Sequence, residues 1–299
     1  MKILVLNGSP KGKESVTMQY INYIIKNSCN CEFKVNNIAQ EINKIENDKE
    51  YFEKIMKDVI SADGIIWAFP LYYCTVHSNY KRFIELIWER SKEACFKDKY
   101  ACALSTSIHF FDNTAHDYIN EICDDLNMKY TEYFSAKMYD AAEKKNRKTL
   151  LIFAENFFSS IKNKTATAKR FKPLNYKMPE YRPEPVKQKI DNSSKKIVIL
   201  TDAYERDTNL GKMIRQFSDQ FKNPVEIVNI SEIKIKGACL GCVNCGFDNH
   251  RVYSGRDDIE PVYINKIFPA DILVIAGAIK DRYLSSRWKK FTDRGFFKT

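Results

Sequence analysis

Ile3-Leu4-Val5-Leu6-Asn7-Gly8-Ser9-Pro10-Lys11-Gly12-Lys13-Glu14-Ser15-Val16-Thr17 is the stretch whose reading decides the fold. Ile3 to Leu6 read as a short apolar strand. Met18, Ile21, Ile24 and Ile25 then fall on one face of a helix. The turn between them is built of small and hydroxyl residues. A strand feeding a helix through such a turn aims backbone N–H groups and the positive helix end at one point, which suits an anion. Ser9, Ser15 and Thr17 add hydroxyl donors. The turn reads as a phosphate loop.

Spacing narrows the ligand. A nucleoside-triphosphate loop needs Gly, four residues, then Gly-Lys-Ser/Thr. Here three residues separate Gly8 from Gly12, and Glu14 stands where the magnesium-binding hydroxyl belongs. The dinucleotide pattern G-x-G-x-x-G is absent as well. What remains is the loop after the first strand of a flavodoxin-type sheet, which holds a mononucleotide's terminal phosphate.

Outward from this loop, strand-like runs at 3–7, 33–38, 64–69, 100–105 and 130–136 alternate with helical patterns. The helices are expected at about 15–28, 49–62, 78–92, 113–127 and 146–163. Five β–α units imply a parallel sheet covered on both faces. The runs at 3–7, 64–69 and 100–105 are nearly all apolar, as central strands are, and the other two are mixed and suit edges. The expected order is 2-1-3-4-5, with the ligand crevice at the carboxyl ends of strands one and three.

At 299 residues the chain has room for two domains. Its 44% hydrophobic and 29% charged content is that of a soluble globular protein. The longest run of apolar residues and glycine, Ile272–Ile279, is far short of a membrane span, and the N-terminus lacks the features of a signal peptide. Nine cysteines without a secretion signal point to the reducing cytoplasm. The net charge of +10 is concentrated: residues 162–196 hold eleven Lys/Arg against three Asp/Glu, a local net of +8. This stretch also carries Pro173, Pro179, Pro183 and Pro185 and reads as a solvated connector. No arrayed aromatic-basic pattern supports a nucleic-acid module.

The chain partly repeats itself. Ala62-Asp63-Gly-Ile-Ile-Trp-Ala68 parallels Ala270-Asp271-Ile-Leu-Val-Ile-Ala276. Ser78-Asn-Tyr80-Lys81-Arg82-Phe83-Ile-Glu85 parallels Ser286-Arg-Trp288-Lys289-Lys290-Phe291-Thr-Asp293 at the same offset. Lys2–Leu6 matches Lys196–Leu200. The expected domains are therefore 1–165, a connector at 166–194, and a partial, truncated second copy at 195–299. Its loop, Thr201-Asp202-Ala-Tyr-Glu205-Arg-Asp207-Thr208-Asn209, places three carboxylates where a phosphate would bind, so a phosphate ligand belongs to the first domain.

The second copy also carries Cys239-Leu-Gly-Cys242-Val-Asn-Cys245. Three thiols on one tight loop suit an iron–sulfur cluster, but residues 246–258 hold no fourth cysteine. Zinc through the three cysteines and His250 is a second reading, and a metal-free thiol loop a third.

These residues resemble the flavodoxin-like NAD(P)H-dependent FMN reductases, including the iron–sulfur flavoproteins. The matching pieces are Asn7-Gly8-Ser9-Pro10 with Ser15 and Thr17, and Phe69-Pro70-Leu71-Tyr72 with Lys81 and Phe83. In the second half Gly241-Cys242, Cys245, Asp257-Asp258 and Trp288-Lys289-x-Phe291-x-Asp293-Arg294 match. The resemblance implies that Ser9, Lys11, Ser15, Val16 and Thr17 surround the FMN phosphate. Pro70, Leu71, Tyr72 and Tyr73 would line the isoalloxazine ring, and Ser105, Thr106 and Ser107 would approach its polar edge. It further implies NAD(P)H as co-substrate, a small-molecule or protein electron acceptor, and a homo-oligomer. Family members usually have glycines where this chain has Ser105-Thr-Ser-Ile-His109. Two other readings fit the same residues: a non-catalytic flavin-binding electron-transfer or redox-sensing module, and a cofactor-free flavodoxin-like partner-binding domain.

Overall fold

The computed structural model describes every residue except 175–177, 204–207, 249 and 296–299. The chain divides into two compact units, Met1–Leu174 and Asn175–Thr299.

In the first unit, β1 (Lys2–Asn7) leads into α1 (Val16–Lys26) and β2 (Glu32–Asn36). Two helices follow, α2 (Ile42–Asn47) and α3 (Lys49–Ser61), and then β3 (Gly64–Tyr72). Asp48 separates the helices because its carboxylate caps α3, accepting from Tyr51 N at 3.0 Å. The chain continues through β4 (Thr75–Val76), α4 (Ser78–Glu89), β5 (Tyr100–Ser107), α5 (Asp112–Asp125), β6 (Lys129–Lys137) and α6 (Lys144–Lys162). The main sheet runs β2-β1-β3-β5-β6 with every pairing parallel, and β4 folds back on β3 as an antiparallel hairpin. This is the expected flavodoxin-like α/β order. The short α2 and the hairpin strand β4 have too few residues to show a period, and the sequence pattern misses both.

Alternation along the strands divides the core. Ile3, Val5, Ile66, Ala68, Cys102 and Leu104 pack with Met18, Ile21 and Ile24 of α1 and Leu150, Phe153 and Phe157 of α6. Ile65 and Trp67, out of step with these, are also fully buried. The strands are apolar on both faces because helices cover both, and that places ligand chemistry at the sheet's carboxyl end.

The second unit contains β7 (Ile197–Thr201), α7 (Asn209–Asp219), β8 (Glu226–Asn229), the short α8 (Cys245–Asp248) and α9 (Ile259–Val262), β9 (Ile272–Ala276), the hairpin β10 (Ile279–Lys280) and β11 (Tyr283–Leu284), and α10 (Ser286–Asp293). Its three-stranded sheet has the order β8-β7-β9, all parallel, which matches β2-β1-β3 of the first unit. The basic stretch at 166–194 is shared between the units. Arg170 N and Phe171 N donate to Asp124 Oδ2 at 2.9 Å in the first. In the second, Tyr181 N donates to Asn209 Oδ1 at 2.8 Å and Ile190 pairs with Phe221.

Candidate functional site

The carboxyl ends of β1, β3 and β5 lie side by side, and the loop after β1 closes over them. Gly8 N donates to Ala68 O at 2.7 Å, which ties the loop to β3. Tyr80 of α4 donates to Leu6 O at 2.7 Å, and its ring lies where a Cβ on Gly8 would sit, 2.7 Å away. Only glycine fits there. Gly12 has φ +55, and a Cβ on it would meet the Gln40 side chain at 2.1 Å. A left-handed turn therefore carries the loop back toward α1.

The hydroxyls of this loop are buried but retain their protons. Ser9 Oγ accepts from Lys11 N at 3.3 Å, and Ser15 Oγ caps α1 by accepting from Met18 N at 3.2 Å. Both side chains are nearly inaccessible. Because each oxygen is an acceptor in these bonds, its hydrogen stays available to an anion. The amides of Val16 and Thr17 are in the first turn of α1, where no preceding carbonyl can take them. Lys11 and Lys13 are exposed at the rim. The set fits a phosphate.

Thr17 Oγ1 is 2.7 Å from Thr106 Oγ1, and both residues are buried. This bond brings the loop after β1 against the end of β5. There Ser105 pairs in register with Phe69 and Thr106 with Pro70. Beyond Pro70, Leu71 pairs with Val76 and Tyr72 with Thr75 across the hairpin. Tyr73 and Cys74 form its two-residue turn with φ 37 and φ 67, and Tyr73 is 65% exposed. Ser107 is half-buried and accepts from His109 N at 2.9 Å. The expected residues Ser9, Lys11, Ser15, Val16, Thr17, Pro70, Leu71, Tyr72, Ser105 and Thr106 thus share one end of the sheet. Tyr73 and Ser107 mark its outer margin. After β5 the chain forms a loop with His109 at φ 58 and Phe111 at φ 56.

Sequence reading overlooks two residues here. Tyr80 shapes the loop as described. His116 of α5 is buried, with Nε2 2.8 Å from Ser105 Oγ and its ring stacked on Tyr133 at 4.0 Å. Burial lowers its pKa to about 4, so the ring is neutral near pH 7. Its position between Ala115 and Ile119 on the buried face of α5 hides it from any motif. His77 is structural: Nδ1 caps α4 by accepting from Asn79 N at 3.2 Å, and the ring meets Tyr72 edge-on at 4.7 Å.

Residues 1–129 match the family model of the NADPH-dependent FMN reductases. Among solved structures, the chain is similar to the apo form of an NADH:FMN oxidoreductase (EMOB), at 17% identity and TM-score 0.46, covering 53% of this chain and 89% of that one. It is similar to FerB, a flavoenzyme NAD(P)H:(acceptor) oxidoreductase from Paracoccus denitrificans, at 16% identity and TM-score 0.46, with 54% and 97% covered. General stress protein 14 from Treponema denticola in complex with FMN is similar at 12% identity and TM-score 0.39, with 54% and 98% covered. No curated protein matches the chain.

The cysteine loop lies outside the stretch matched by the FMN reductase model. Gly241 (φ 64) and Val243 (φ 58) turn it, and Gly241 N donates to Cys239 Sγ at 3.5 Å. Burial raises the Cys239 thiol pKa, while Cys242 is exposed. Cys239 and Cys245 are half-buried and Cys242 is exposed. Among the described residues no three His, Cys, Asp or Glu side chains are grouped to hold a metal ion. The iron–sulfur and zinc expectations for Cys239, Cys242 and Cys245 with His250 find no support in this arrangement. The second loop's Glu205 and Asp207 lie outside the described residues. Among the described residues no helix is long and apolar enough to cross a membrane.

Proposed function

We propose that the chain is an FMN-dependent NAD(P)H oxidoreductase that passes electrons from a nicotinamide through flavin to a quinone, flavin, metal or protein acceptor. The observation that carries this reading is the convergence of the hydroxyl loop, the first turn of α1 and the ends of β3 and β5, joined by the Thr17–Thr106 bond. When bound, the flavin supplies the hydride and electron chemistry. The chain's own part is to bind and orient it. Ser9, Ser15, Thr17, the Val16 amide and Lys11 would hold the phosphate. Pro70, Leu71, Tyr72 and Tyr73 would line the ring on one side, with Ser105, Thr106 and Ser107 at its polar edge.

The surroundings support a planar aromatic occupant. Tyr73, Ile108, Phe110 and Phe111 are exposed around this end of the sheet, and Phe110 meets Phe111 at 4.6 Å. Large apolar side chains left exposed together commonly mark a binding surface. His116, held neutral by burial, orients Ser105 without adding charge.

The test is a visible spectrum of the purified full chain, with acid-released cofactor identified, followed by NADH and NADPH oxidation with a quinone acceptor. Stoichiometric FMN with turnover supports the proposal. A colourless protein that takes up no added FMN overturns it. FMN without nicotinamide oxidation leaves an electron-transfer or sensing module.

A further inference from the structure

Three loops leave the carboxyl end of the first unit's sheet, and each carries bulky apolar side chains that are exposed. The hairpin turn after β3 carries Tyr73, the loop after β5 carries Ile108, Phe110 and Phe111, and the loop after β6 carries Met138 and Tyr139. Ile108 is 70% exposed and Tyr139 78%. These loops are neighbours. Ser107 pairs with Lys137 in the last register step between β5 and β6, so Ile108 and Met138 leave the sheet side by side. The Thr114 hydroxyl reaches the carbonyls of both Cys74 and Phe111, which joins the second loop to the hairpin turn. Adjacent apolar side chains left in water on three loops mark a surface that meets something larger than one ligand ring.

Cations border this row. Residues 137–148 hold five Lys/Arg against two Asp/Glu, and Lys137, Lys144, Lys145 and Lys148 are exposed. Of the two acids, Asp140 accepts from Lys137 N at 2.9 Å and Glu143 from Asn146 at 3.4 Å. Lys144 and Lys145 stand in the first turn of α6, which holds no acidic residue. The positive end of a helix disfavours cations, so helix stability does not account for them. Tyr20 ties this segment to α1: its hydroxyl donates to Lys137 O and accepts from Ala141 N, both at 2.8 Å. Lys11 and Lys13 are exposed, with Glu14, on the loop that precedes α1.

We propose that this end of the first unit docks on an anionic lipid surface, with the three loop tips in the headgroup region and the lysines against the lipid charges. Phenylalanine and tyrosine suit that layer, which is apolar on one side and wet on the other. A lysine lays its stem along the apolar contact and keeps its ammonium at the charged surface. Apolar insertion and charge attraction together hold a protein on a bilayer where either alone is marginal. Protein interfaces are depleted in lysine, which argues against a protein partner here. A second copy would bring the same lysines together. Docking in this way turns the proposed flavin site toward the layer in which a quinone dissolves. That consequence rests on the flavin reading, and the docking itself does not.

The test is flotation of the full chain with vesicles of phosphatidylcholine alone and of phosphatidylcholine with about one-third phosphatidylserine. The phosphatidylserine vesicles are expected to bind it at least about tenfold more strongly at low salt, and added salt weakens that binding. Phe110→Asp with Phe111→Asp is expected to lower binding about tenfold, and Lys144→Glu with Lys145→Glu by as much. All four side chains are exposed, and thermal unfolding checks that the variants fold. The control is Lys187→Glu with Lys189→Glu, exposed in the basic connector, which is expected to change binding by less than about twofold. Absence of vesicle binding overturns the proposal. So does an equal loss in the connector variant, which would reduce the attraction to net charge. Self-association that the phenylalanine variant abolishes would assign the tips to a second copy and overturn it as well. A chain that binds vesicles yet takes up no FMN overturns the flavin reading and leaves the docking intact.

Discussion

The hairpin and helix after β3 recur after β9, 208 residues on, part for part. Leu71 pairs with Val76 and Tyr72 with Thr75 in one hairpin; Ile279 pairs with Leu284 and Lys280 with Tyr283 in the other. Both turns hold two left-handed non-glycine residues, Tyr73-Cys74 and Asp281-Arg282. Each following helix has a side-chain cap, His77 or Ser285. Each buries an i,i+4 ion pair, Lys81–Glu85 at 3.4 Å and Lys289–Asp293. The units differ around this shared motif. β3 lies between β1 and β5, and residues 64–69 are buried. β9 pairs with β7, and Ile272, Leu273 and Ile275 are 46%, 42% and 60% exposed. Packing repeats the hairpin–helix motif whatever the loop before it contains. Likeness in 78–85 and 286–293 therefore reports fold.

The buried ion pairs test the likeness most severely. Lys81→Met and Lys289→Met each leave a carboxylate in the core with its cation removed, which typically costs about 3–5 kcal/mol. Glu85 keeps Arg82 at 3.2 Å, so part of its charge stays paired in the first unit. Hydrogen exchange read separately over α4 and α10 measures this. A large loss in one unit beside a negligible one in the other would mean that the pairs are not structural equivalents.

His116 belongs to α5, which has no counterpart among the described residues of the second unit. Its pKa is about 4 in the fold against 6.5 as the ordinary value. Below pH 6.5 the unfolded chain takes a proton that the folded one refuses. Stability is therefore full above that pH and is lost as pH falls toward 4, by up to about 3 kcal/mol. Urea midpoints from pH 7 to pH 4 should drop in the first unit, and His116→Gln should flatten the profile. An unchanged profile in that variant would show that another group titrates.

Helix caps separate fold from ligand. Ser15 caps α1, and Thr208 caps α7 through Gly211 N at 3.1 Å. Replacing either by Ala costs about 1 kcal/mol of stability. Only Ser15→Ala is expected to weaken FMN retention, by about tenfold, because its hydroxyl faces the proposed phosphate site. Equal loss of flavin from both variants would contradict a site confined to the first unit.

The strand order was legible because each central strand is a short apolar run and each helix has a clear period. The hydroxyl-rich loop between β1 and α1 was legible because Ser9, Ser15 and Thr17 are close in sequence. What escaped has physical reasons. The Thr17–Thr106 bond spans 89 residues, and no local pattern encodes it. His116 looks like any polar residue on an apolar helix face. In β6, Ala101 pairs with Tyr130 but Ala103 with Tyr133, one residue more than regular alternation predicts. The three cysteines have cluster-like spacing, yet among the described residues no three His, Cys, Asp or Glu side chains are grouped to hold a metal ion.

The smallest expected effect lies in the hairpin turns. A two-residue turn with both φ values positive favours Asn, Asp and Gly, since a bulky side chain crowds the following carbonyl. The second unit has Asp281 at the first position, where the first unit has Tyr73 at φ 37. Tyr73→Asn is therefore expected to raise stability by about 0.5–1 kcal/mol, and Asp281→Tyr to lower it by at least as much. Tyr73 is 65% exposed, so the gain is not offset by lost packing. A strained residue tends to persist where function requires it. If Tyr73→Asn stabilises the fold while slowing nicotinamide oxidation, the tyrosine is kept for the flavin site. If activity is unchanged, the turn is architectural in both units, and the difference between them reduces to the loops after β1 and β7.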